Sequence, residues 1–515
     1  MRYDARARGR TETTDRAPGT SDMRILLVLL LVGWSATAQE LIAPIPASPQ
    51  AGEVFVGCAT VDITPDGPAA LAGQFNLRIS KKVETPLVAS AVAIETRDGD
   101  RVIDQAILIS VDLVGIRDGV QERFRKVAGP RLKGFDVRKA VLSATHTHTA
   151  PLTTTDAPRY DVPKQGVVQP PDYVEFLVNR LADAAVKAWE SRAPGMVSWT
   201  LGHAVVGHNR RPVYANGAAR MYGPSSTPDF RGLEGFEDHS LHALYFWDRD
   251  RKLRAVAINL ACPAQDVESR STINADYWHE VRTRLRKELG DELCVVGWIA
   301  AAGDQSPRPM IGKKAEDRMR TLRGLTSTQE IGRRISGSVL ETLEIARKDA
   351  RDRVPMTHRV ADLALTRRVI SETEYKAAGA ALAKFKAKGQ LVGTDRVHML
   401  REQDVVERYE KSAELGKFPV EVHALRIGDV AIATNPFELF LDYGLQIQGR
   451  SPATQTFVIQ LACNYSGYLP TAQAIRHGSY SATPPSNQVG PEGGQELVDQ
   501  TVGMLEELWS APRTK

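Results

Sequence analysis

The sequence has few cysteines and almost no net charge, and each of these features excludes a class of protein. Four cysteines in 515 residues are too few for a disulfide framework. The 66 basic and 62 acidic side chains give a net charge of +4, too balanced for a nucleic-acid-binding protein. With 42% hydrophobic and 25% charged residues, the composition is that of an ordinary globular protein, and its length allows a large core.

Long apolar runs are also missing, and the longest one lies near the N-terminus. Ile25–Val32 is far shorter than the roughly 20 residues that span a bilayer. It follows Met23-Arg24 and precedes Ala36-Thr37-Ala38. A basic start, a short apolar core and an Ala-x-Ala exit are typical of a secretory signal peptide, and the alternative is a short buried helix or an anchor. We therefore expect an exported protein, whether periplasmic, at the cell surface or secreted.

These features divide the chain into three parts. Residues 1–38 are the predicted signal peptide, and the predicted true start at Met23 makes residues 1–22 a mis-called extension. Residues 39–53 include a stretch rich in Pro, Ala and Ser and are predicted to form a linker. The remaining residues, 54–515, are predicted to form a single large domain without a transmembrane helix.

Patterns of buried strands and of helices alternate through this domain. Apolar runs that end in turn-forming residues predict strands at Val54–Ile63, Leu87–Glu95, Val102–Leu113, Lys139–Thr145, Val197–Val205, Ala255–Cys262, Cys294–Ala301, Val420–Ala433 and Gln455–Leu461. Helical periodicity occurs at Asp172–Ser191, Ala275–Leu289, Ser327–Ala350 and Gly493–Trp509. The charged stretch 371–417 predicts a solvated helical insertion. The alternation predicts an α/β fold with mixed β-sheets flanked by helices.

Two histidines follow one of the predicted strands directly. His146 and His148 lie in the sequence Ala-Thr-His-Thr-His-Thr-Ala-Pro, which begins at Ala144. Neutral imidazole is the commonest protein ligand for zinc. The alternative for such a pair is a set of structural polar contacts, so the pattern alone is a weak indication of a metal site.

Three further turns place polar side chains after predicted strands. One turn carries Asp304 and Ser306, another ends in Glu438, and a third begins near Tyr468, twelve residues before Tyr480. Loops at the carboxyl ends of strands are where α/β sheets collect catalytic groups. An ordinary turn or a packing tyrosine is the alternative at each position. Each pattern is weak alone, and only the whole set indicates an active site.

The order of these motifs resembles the neutral or alkaline, non-lysosomal ceramidase family. The family order is His-Thr-His-x-x-Pro, Gly-Asp-x-Ser-Pro, Pro-x-Glu and Gly-Tyr-x-x-Thr…Tyr, and this chain has it at His146–Pro151, Gly303–Pro307, Pro436–Glu438 and Gly467–Tyr480. The opening segment is similar as well, at Val56–Pro65, Leu71–Gly73 and Ser110–Leu113. The resemblance extends from about Val54 to Leu508 and implies a catalytic domain of the neutral ceramidase type.

The resemblance implies a zinc enzyme that hydrolyses the amide bond of N-acyl sphingoid lipids. Carried over residue by residue, it implies zinc ligands at His146, Glu438 and Tyr468. It implies catalytic roles for His148, Ser306 and Tyr468. It also implies groups on the substrate side of the site at Arg210, Tyr480 and Asp304.

One departure from the family concerns its second zinc histidine. This chain has no histidine in the matching strand, and counting back from Asp276 places Cys262 at or next to the vacant position. A cysteine thiolate is a good zinc ligand, so Cys262 is a predicted ligand. The alternatives are a packing cysteine, a disulfide with Cys463, or a position taken by water, Gln265 or His279.

A second departure concerns the C-terminal region. Family ceramidases continue into an immunoglobulin-like sandwich, and we expect a divergent member that lacks this domain. The predicted function is that of an exported zinc-dependent amidohydrolase acting on N-acyl sphingoid lipids or related N-acyl amides, with peripheral contact to a membrane. The alternatives are a metal hydrolase on the same scaffold with a non-lipid ester or amide substrate, and a binding member that has lost catalysis.

Overall fold

The computed structural model describes residues 50–117, 119–154 and 160–510. The predicted signal peptide at residues 1–38 and nearly all of the predicted linker at 39–53 lie outside the described residues. The described residues all fall within one compact unit, Pro46–Lys515. Within them, no helix has both the length and the apolar character that a membrane span requires.

The strands form one large mixed sheet and three small two-stranded sheets. In chain order they are β1 (Ala51–Asp62), β2 (Val88–Asp98), β3 (Arg101–Val111), β4 (Ala140–Ala144), β5 (Ala193–His203), β6 (His208–Asn209), β7 (Pro212–Tyr214), β8 (Phe230–Leu233), β9 (Ser240–Asp248), β10 (Leu253–Leu260), β11 (Cys294–Ile299), β12 (Gln305–Ser306), β13 (Arg353–Leu365), β14 (Phe418–Ile427), β15 (Val430–Thr434), β16 (Glu438–Leu439), β17 (Gln455–Ile459) and β18 (Tyr468–Leu469). The large sheet has the order β11-β10-β9-β5-β1-β13-β14-β15-β17, and β2, β3 and β4 branch from β1.

Helices cover the outer faces of this sheet. They are α1 (Val120–Ala128), α2 (Pro170–Glu190), α3 (Tyr277–Leu289), α4 (Lys313–Leu322), α5 (Ser327–Lys348), α6 (Glu372–Lys386), α7 (Asp395–Glu410), α8 (Leu441–Arg450), α9 (Ala472–His477) and α10 (Pro491–Trp509). One core joins α1 and α2 to β1–β4, another joins α3 and α5 to β9–β11, and a third joins α8 and α10 to β13–β17.

A fourth core lies between the two halves of the sheet, which stack on each other. In β2, Ala91 and Ala93 face the helix side, whereas Val92 and Ile94 face this inner core. The inner core also contains residues of β9, β10, β11, β14 and β15. Because successive strand residues point to opposite faces, a strand buried on both faces must be apolar throughout. This burial explains the continuous apolar runs in the sequence.

The predicted α/β fold with mixed sheets flanked by helices is confirmed. The single predicted strand Val420–Ala433 is wrong, because β14 ends at Ile427 and Gly428, with a φ of 62°, begins a tight turn into β15. The interior strand β13 has no predicted counterpart, since Arg359 and Asp362 interrupt its apolar pattern.

The charged stretch 371–417 forms helices α6 and α7 between the antiparallel neighbours β13 and β14. Ser371 and Glu374 form a capping box that begins α6. The hairpin is packed against the domain rather than fully solvated, because Arg408 of α7 is buried and donates hydrogen bonds to the carbonyl oxygens of Asn487 and Pro484 at 2.8 and 2.6 Å.

Candidate active site

The loop after β4 turns back on itself at His146. This residue has a φ of 67°, a left-handed conformation that is uncommon for a residue with a side chain. Thr147 and Thr149 anchor the loop, since their hydroxyls donate to the carbonyl oxygen of Asn274 at 2.8 and 2.7 Å. The rings of His146 and His148 meet edge to face, with their Nε2 atoms 3.3 Å apart. Both predicted histidines therefore point to the same place.

The partners of His146 fix which of its nitrogens carries hydrogen. Nδ1 lies 2.6 Å from the carbonyl oxygen of Val114, so Nδ1 donates and Nε2 keeps a free lone pair. This Nε2 faces Glu438 Oε2 and His148 Nε2, each at 3.3 Å. Electron-rich atoms that approach one another in a buried place need a cation between them. The arrangement therefore suits a metal ion or a proton at His146 Nε2.

Strands β16 and β18 place Glu438 beside Tyr468. The two strands pair in parallel, with Glu438 directly opposite Tyr468. The backbone of Glu438 also passes close to Gly303, where a Cβ atom would lie 2.3 Å from the Glu438 carbonyl oxygen. Only glycine avoids this clash, which explains the first residue of the motif Gly303–Pro307.

A second tyrosine, Tyr465, holds the other oxygen of the carboxylate. Its hydroxyl donates to Glu438 Oε1 at 2.8 Å. Arg117 lies over the ring of Tyr465, with Cζ 3.9 Å from the ring centroid. Neither Tyr465 nor Arg117 was predicted from the sequence, where the only available signal was the position of Tyr465 three residues before Tyr468.

Gln265 fixes the hydrogen-bonding state of His148. Arg210 Nη1 donates to Gln265 Oε1 at 3.2 Å, which turns the amide nitrogen of Gln265 toward His148 Nε2 at 2.7 Å. His148 Nε2 is therefore an acceptor, and Nδ1 carries the hydrogen. Nδ1 is buried without a hydrogen-bond partner in the described part of the chain, and the nearest Glu268 carboxylate oxygen is 3.6 Å away.

Gly73 makes room for the ring of His148. It has a φ of 95°, and a Cβ atom there would lie 2.3 Å from His148 Cγ. Arg78 ties the two loops together, because its Nη2 donates to the carbonyl oxygens of Ala72 and His148 at 2.5 and 2.6 Å. The motif Leu71–Gly73 thus shapes the site without supplying a reacting group.

Neighbouring charges keep the carboxylate ionised. Burial alone would raise the pKa of Glu438, but a proton on His146 Nε2, followed by Arg210 and the Tyr468 hydroxyl, outweighs burial and lowers that pKa to about 2. Burial and the Glu438 charge raise the pKa of both Tyr468 and Tyr465. At neutral pH the site therefore contains one carboxylate between two protonated tyrosines.

The imidazole of His148 is held neutral. Burial, followed by the fields of His146 and Arg78, keeps the pKa of His148 well below its ordinary value. A neutral ring with a lone pair on Nε2 is able to accept a proton during a reaction. His148 therefore has the state that a general base requires.

A small cavity of about 70 Å³ opens over these groups. The cavity is small, so a reacting group fits inside and the rest of a substrate extends from the mouth. The lining residues come from several loops and from α7, and they include Gly73, Phe75, Arg117, His146, His148, Tyr160, Val397, Arg401, Glu438, Tyr465, Tyr468 and Tyr480. Five of the predicted site residues are in this wall, namely His146, His148, Glu438, Tyr468 and Tyr480.

Asp304 and Ser306 lie one layer behind the cavity and do not line it. Asn209 Nδ2 donates to Asp304 Oδ2 at 2.9 Å, and the Tyr222 hydroxyl donates to Ser306 Oγ at 3.3 Å. Burial raises the pKa of Asp304 to about 6. The backbone N–H of Arg210 donates to the Asp304 carbonyl oxygen at 2.9 Å. This turn therefore supports the segment that carries Arg210.

Arg210 is buried and lies behind the predicted tyrosine ligand. Its Nη2 donates to the Tyr468 hydroxyl oxygen at 3.1 Å and to the Gly303 carbonyl oxygen at 2.8 Å. The sequence analysis placed Arg210 on the substrate side. The structure connects it to the reacting groups through Tyr468 and Gln265.

Cys262 lies in the hydrophobic core and is not brought to the other predicted ligands. Its thiol donates to the Val206 carbonyl oxygen at 3.3 Å, and Gln265 occupies the place next to His148. Burial raises the pKa of this thiol well above its ordinary value, which disfavours the thiolate that binds metals. Cys262 and Cys463 are both free and belong to different cores, so the alternative disulfide is not formed.

A second buried cluster was not foreseen from the sequence. Glu421, His423 and Cys463 place ligand atoms within 4.8 Å of one another, the one such group of three or more among the residues that the structure describes. His423 Nε2 lies 3.0 Å from Glu421 Oε1 and 3.4 Å from Cys463 Sγ, and His423 Nδ1 lies 2.9 Å from His358 Nε2. Arg125 donates to both oxygens of Glu421, at 2.7 and 2.8 Å.

Of the two places, the cavity suits zinc better. His146 Nε2 and the Glu438 carboxylate are donor types that zinc prefers, and the Val114 carbonyl orients His146 as the partners of metal-binding histidines commonly do. At the Glu421–His423–Cys463 cluster, the Arg125 guanidinium already neutralises the carboxylate and would repel a further cation.

The chain shares its fold with bacterial neutral ceramidase. No family model and no curated protein sequence matches it. Among solved structures it is similar to the neutral ceramidase from Pseudomonas aeruginosa, with a TM-score of 0.63 and 17% identity over 88% of this chain and 75% of that chain. It is also similar to a ceramidase complexed with C2, with a TM-score of 0.62 and 16% identity over 90% and 77% of the two chains. The predicted resemblance is therefore confirmed at the level of the fold.

Proposed function

We propose that this protein is an exported, zinc-dependent amidohydrolase that acts on N-acyl sphingoid lipids or related N-acyl amides. The observation that carries the proposal is the approach of Glu438 Oε2 and His148 Nε2 to His146 Nε2, each at 3.3 Å, in the wall of a cavity. The similarity of the whole fold to a neutral ceramidase supports the same reaction class.

In this proposal His146, Glu438 and Tyr468 hold the zinc ion. Bound zinc supplies Lewis acidity that polarises a carbonyl oxygen and lowers the pKa of a water molecule toward 7. Water would take the place of the family's second histidine, because Gln265 Oε1 is already bound by Arg210 and its amide nitrogen faces His148. Cys262 is left out because its thiol is directed at the Val206 carbonyl in the core.

The reaction is the addition of water to an amide carbonyl, followed by cleavage of the C–N bond into a carboxylic acid and an amine. His148 Nε2 accepts a proton from the water and returns it to the leaving nitrogen, so that the amine departs neutral. The hydrogen bond from Gln265 to His148 must break for this transfer. The Tyr468 hydroxyl, supported by Arg210, donates to the oxygen on which negative charge develops.

Asp304 and Ser306 act as positioning residues in this scheme. They hold the segment of Arg210, and Arg210 in turn holds Tyr468 and Gln265. Replacing Ser306 with alanine should therefore lower activity without abolishing it. A covalent serine mechanism would instead lose all activity in this variant.

Export and contact with a membrane surface complete the proposal. Export is supported by the signal-peptide pattern at residues 1–38, and membrane contact by the apolar acyl part of the proposed substrate. N-terminal sequencing of protein from the native host should find a start near Gln39. A chain that begins at Met1 or Met23 would show that the leader is retained.

Metal analysis combined with hydrolysis assays tests the function. The purified protein should contain about one zinc ion per chain, hydrolyse N-acetylsphingosine or an N-acyl amino acid, and lose this activity in a chelator. Zinc-loaded protein that cleaves only other esters or amides would support the alternative hydrolase. Protein with neither zinc nor activity would support a binding member.

A further inference from the structure

Two arginines line the cavity without an acidic partner. Arg117 and Arg401 are in the cavity wall, and neither forms an ion pair with any of the residues that the structure describes. Arg117 Nε is buried without a hydrogen-bond partner in the same set of residues. Among the described residues of the wall, Glu438 is the single carboxylate, and it already contacts His146 and Tyr465. The described part of the wall therefore carries an excess of positive charge.

Some arginines away from the cavity have acidic partners. Arg282 donates to both oxygens of Asp112 at 2.7 and 2.9 Å, and Arg125 does the same with Glu421. Such pairing offsets the cost of removing charges from water.

Arg426 is buried without an acidic partner and donates to the carbonyl oxygens of Gly428 and Leu508, so an arginine without an acid is not unique to the cavity. At the cavity, however, Arg117 and Arg401 are next to open space, where a ligand can supply negative charge.

Arg401 reaches the cavity because of its place on α7. Val397 and Arg401 are four residues apart and share one face of this helix. The guanidinium lies beside the rings of Phe75 and Tyr480, which contact each other edge to face, and its Cζ is 5.4 and 5.5 Å from their centroids. Its Nη2 donates to Ser486 Oγ at 2.9 Å. The aromatic contacts fix the plane of the side chain and leave further N–H groups to donate.

Arg210, the third arginine near the cavity, does not offset this positive charge. Arg210 lies behind the wall, and the hydrogen bonds of its guanidinium go to neutral oxygens of Tyr222, Gln265, Gly303 and Tyr468. It therefore adds positive potential without supplying an acid to pair with Arg117 or Arg401.

We propose that the preferred substrate is an N-acyl amino acid whose free carboxylate is bound by Arg117 and Arg401. Guanidinium groups match carboxylates through two parallel hydrogen bonds. The cavity of about 70 Å³ takes the reacting amide, and both arginines are in its wall, where they can receive a carboxylate attached beside that amide. This inference rests on the proposed function and narrows it from neutral ceramides to anionic amides.

Two substrates that differ by one charge test the inference. N-dodecanoylglycine and N-dodecanoylglycinamide have the same acyl chain and the same scissile bond. The kcat/KM of the wild-type protein should be higher for N-dodecanoylglycine by about tenfold or more, because hydrogen bonds to charged groups are stronger than those between neutral groups. In Arg401→Gln and Arg117→Gln this preference should fall by about tenfold, mainly through KM.

Three controls separate a binding role from a structural one. In both glutamine variants the loss of kcat/KM should be about tenfold smaller for the glycinamide than for the carboxylate, since the glycinamide has no charge to lose. Arg401→Lys should recover part of the preference, because lysine restores the positive charge but cannot donate two parallel hydrogen bonds to a carboxylate. Arg347→Gln removes one exposed positive charge far from the cavity wall and should leave both substrates unaffected.

Binding affinities measured by calorimetry separate the proposed amide hydrolysis from the proposed binding of a carboxylate. If neither compound is hydrolysed, the proposed function fails, and the relative affinity of the zinc-loaded protein for the two compounds still tests the charge preference. Equal affinity, or equal kcat/KM where both are hydrolysed, would overturn the inference about the carboxylate. A preference that survives in both arginine variants would overturn the assignment to Arg117 and Arg401.

Discussion

Two buried histidine clusters in this protein contain similar residue types and differ in their surroundings. At the cavity, His146 is in a left-handed conformation, and His148 Nδ1 has no hydrogen-bond partner in the described residues. At the Glu421–His423–Cys463 cluster, His358 continues the chain of contacts to the Gln105 carbonyl, and Arg125 neutralises the carboxylate. Strain, an unsatisfied polar atom and open space mark a functional site better than residue type does.

Their positions in the fold explain this difference. His423 and His358 lie within the regular strands β14 and β13, where the sheet packs around them on both sides. His146 and Tyr465 lie in loops that follow strands, where the backbone is free to turn and side chains converge. We therefore interpret the Glu421–His423–Cys463 cluster, whose residue types could bind a metal, as a structural network within the sheet and not as an active site.

The largest expected effect separates the two clusters directly. His146→Ala and Glu438→Ala should each lower zinc content from about one per chain to near zero and reduce amide hydrolysis at least about a hundredfold, since each removes a ligand. His423→Ala should keep both zinc and activity once its stability loss is allowed for. Zinc analysis and initial rates on the three folded proteins measure this. Retention of zinc in both cavity variants would break the comparison.

A smaller effect is expected at Tyr465. Tyr465→Phe removes the hydrogen bond to Glu438 Oε1 and should weaken zinc affinity by about tenfold, because groups that orient a ligand typically contribute that much. Tyr214→Phe is the matched control, since it removes a tyrosine hydrogen bond to the Pro224 carbonyl at an exposed position. Chelator competition gives the two affinities. An unchanged affinity in Tyr465→Phe would mean that the hydroxyl does not orient the carboxylate.

The Glu421–His423–Cys463 cluster should affect stability rather than activity. Burial raises the pKa of Glu421, but His423 and Arg125 outweigh burial and bring that pKa below its ordinary value. The ion pair therefore contributes stability above the unfolded pKa of about 4.3, and this contribution is lost as the pH falls below it. Glu421→Gln should reduce the free energy of unfolding by about 1–3 kcal/mol at pH 7.

The pH dependence provides the control for that variant. The difference in unfolding free energy between wild type and Glu421→Gln should shrink as the pH falls below about 4, because protonation removes the charge in both folded and unfolded wild-type protein. Denaturant titrations at pH 7 and at acid pH measure it. A difference that stays constant over this range would show that the charge of Glu421 is not the stabilising feature.

The smallest effect is expected at Cys262. Cys262→Ala should keep full zinc content and reduce the free energy of unfolding by about 1 kcal/mol, since the change removes one buried sulfur from a core. Metal analysis and denaturant unfolding measure both quantities. Loss of zinc in this variant would return Cys262 to the ligand set.

The parts of the fold with clear apolar periodicity could be predicted from the sequence. Strands β1 to β4 and helices α2, α3, α5 and α10 have such patterns, because they bury whole faces. Strand β13 could not be predicted, since Arg359 and Asp362 break its pattern. The division between β14 and β15 depends on the turn at Gly428, which a continuous apolar run conceals.

The candidate site could be predicted only where the motifs name its residues. His146, His148, Glu438, Tyr468 and Tyr480 follow from the motif order, and the structure brings them to one cavity. Arg117 and Arg401 belong to no motif. Arg401 lies in α7, and the charged sequence of this helix predicts a solvent-exposed surface. The two arginines come to the same cavity through packing between distant parts of the chain, and a local sequence pattern carries no information about such packing.

The proposed zinc site lies between His146 and Glu438 and not at the Glu421–His423–Cys463 cluster. An anomalous difference map, recorded at the zinc edge from crystals of the zinc-loaded protein, distinguishes the two places. We expect one strong peak about 2.0–2.2 Å from both His146 Nε2 and a Glu438 carboxylate oxygen. A peak beside His423 Nε2 and Cys463 Sγ, with none at His146, would contradict this assignment.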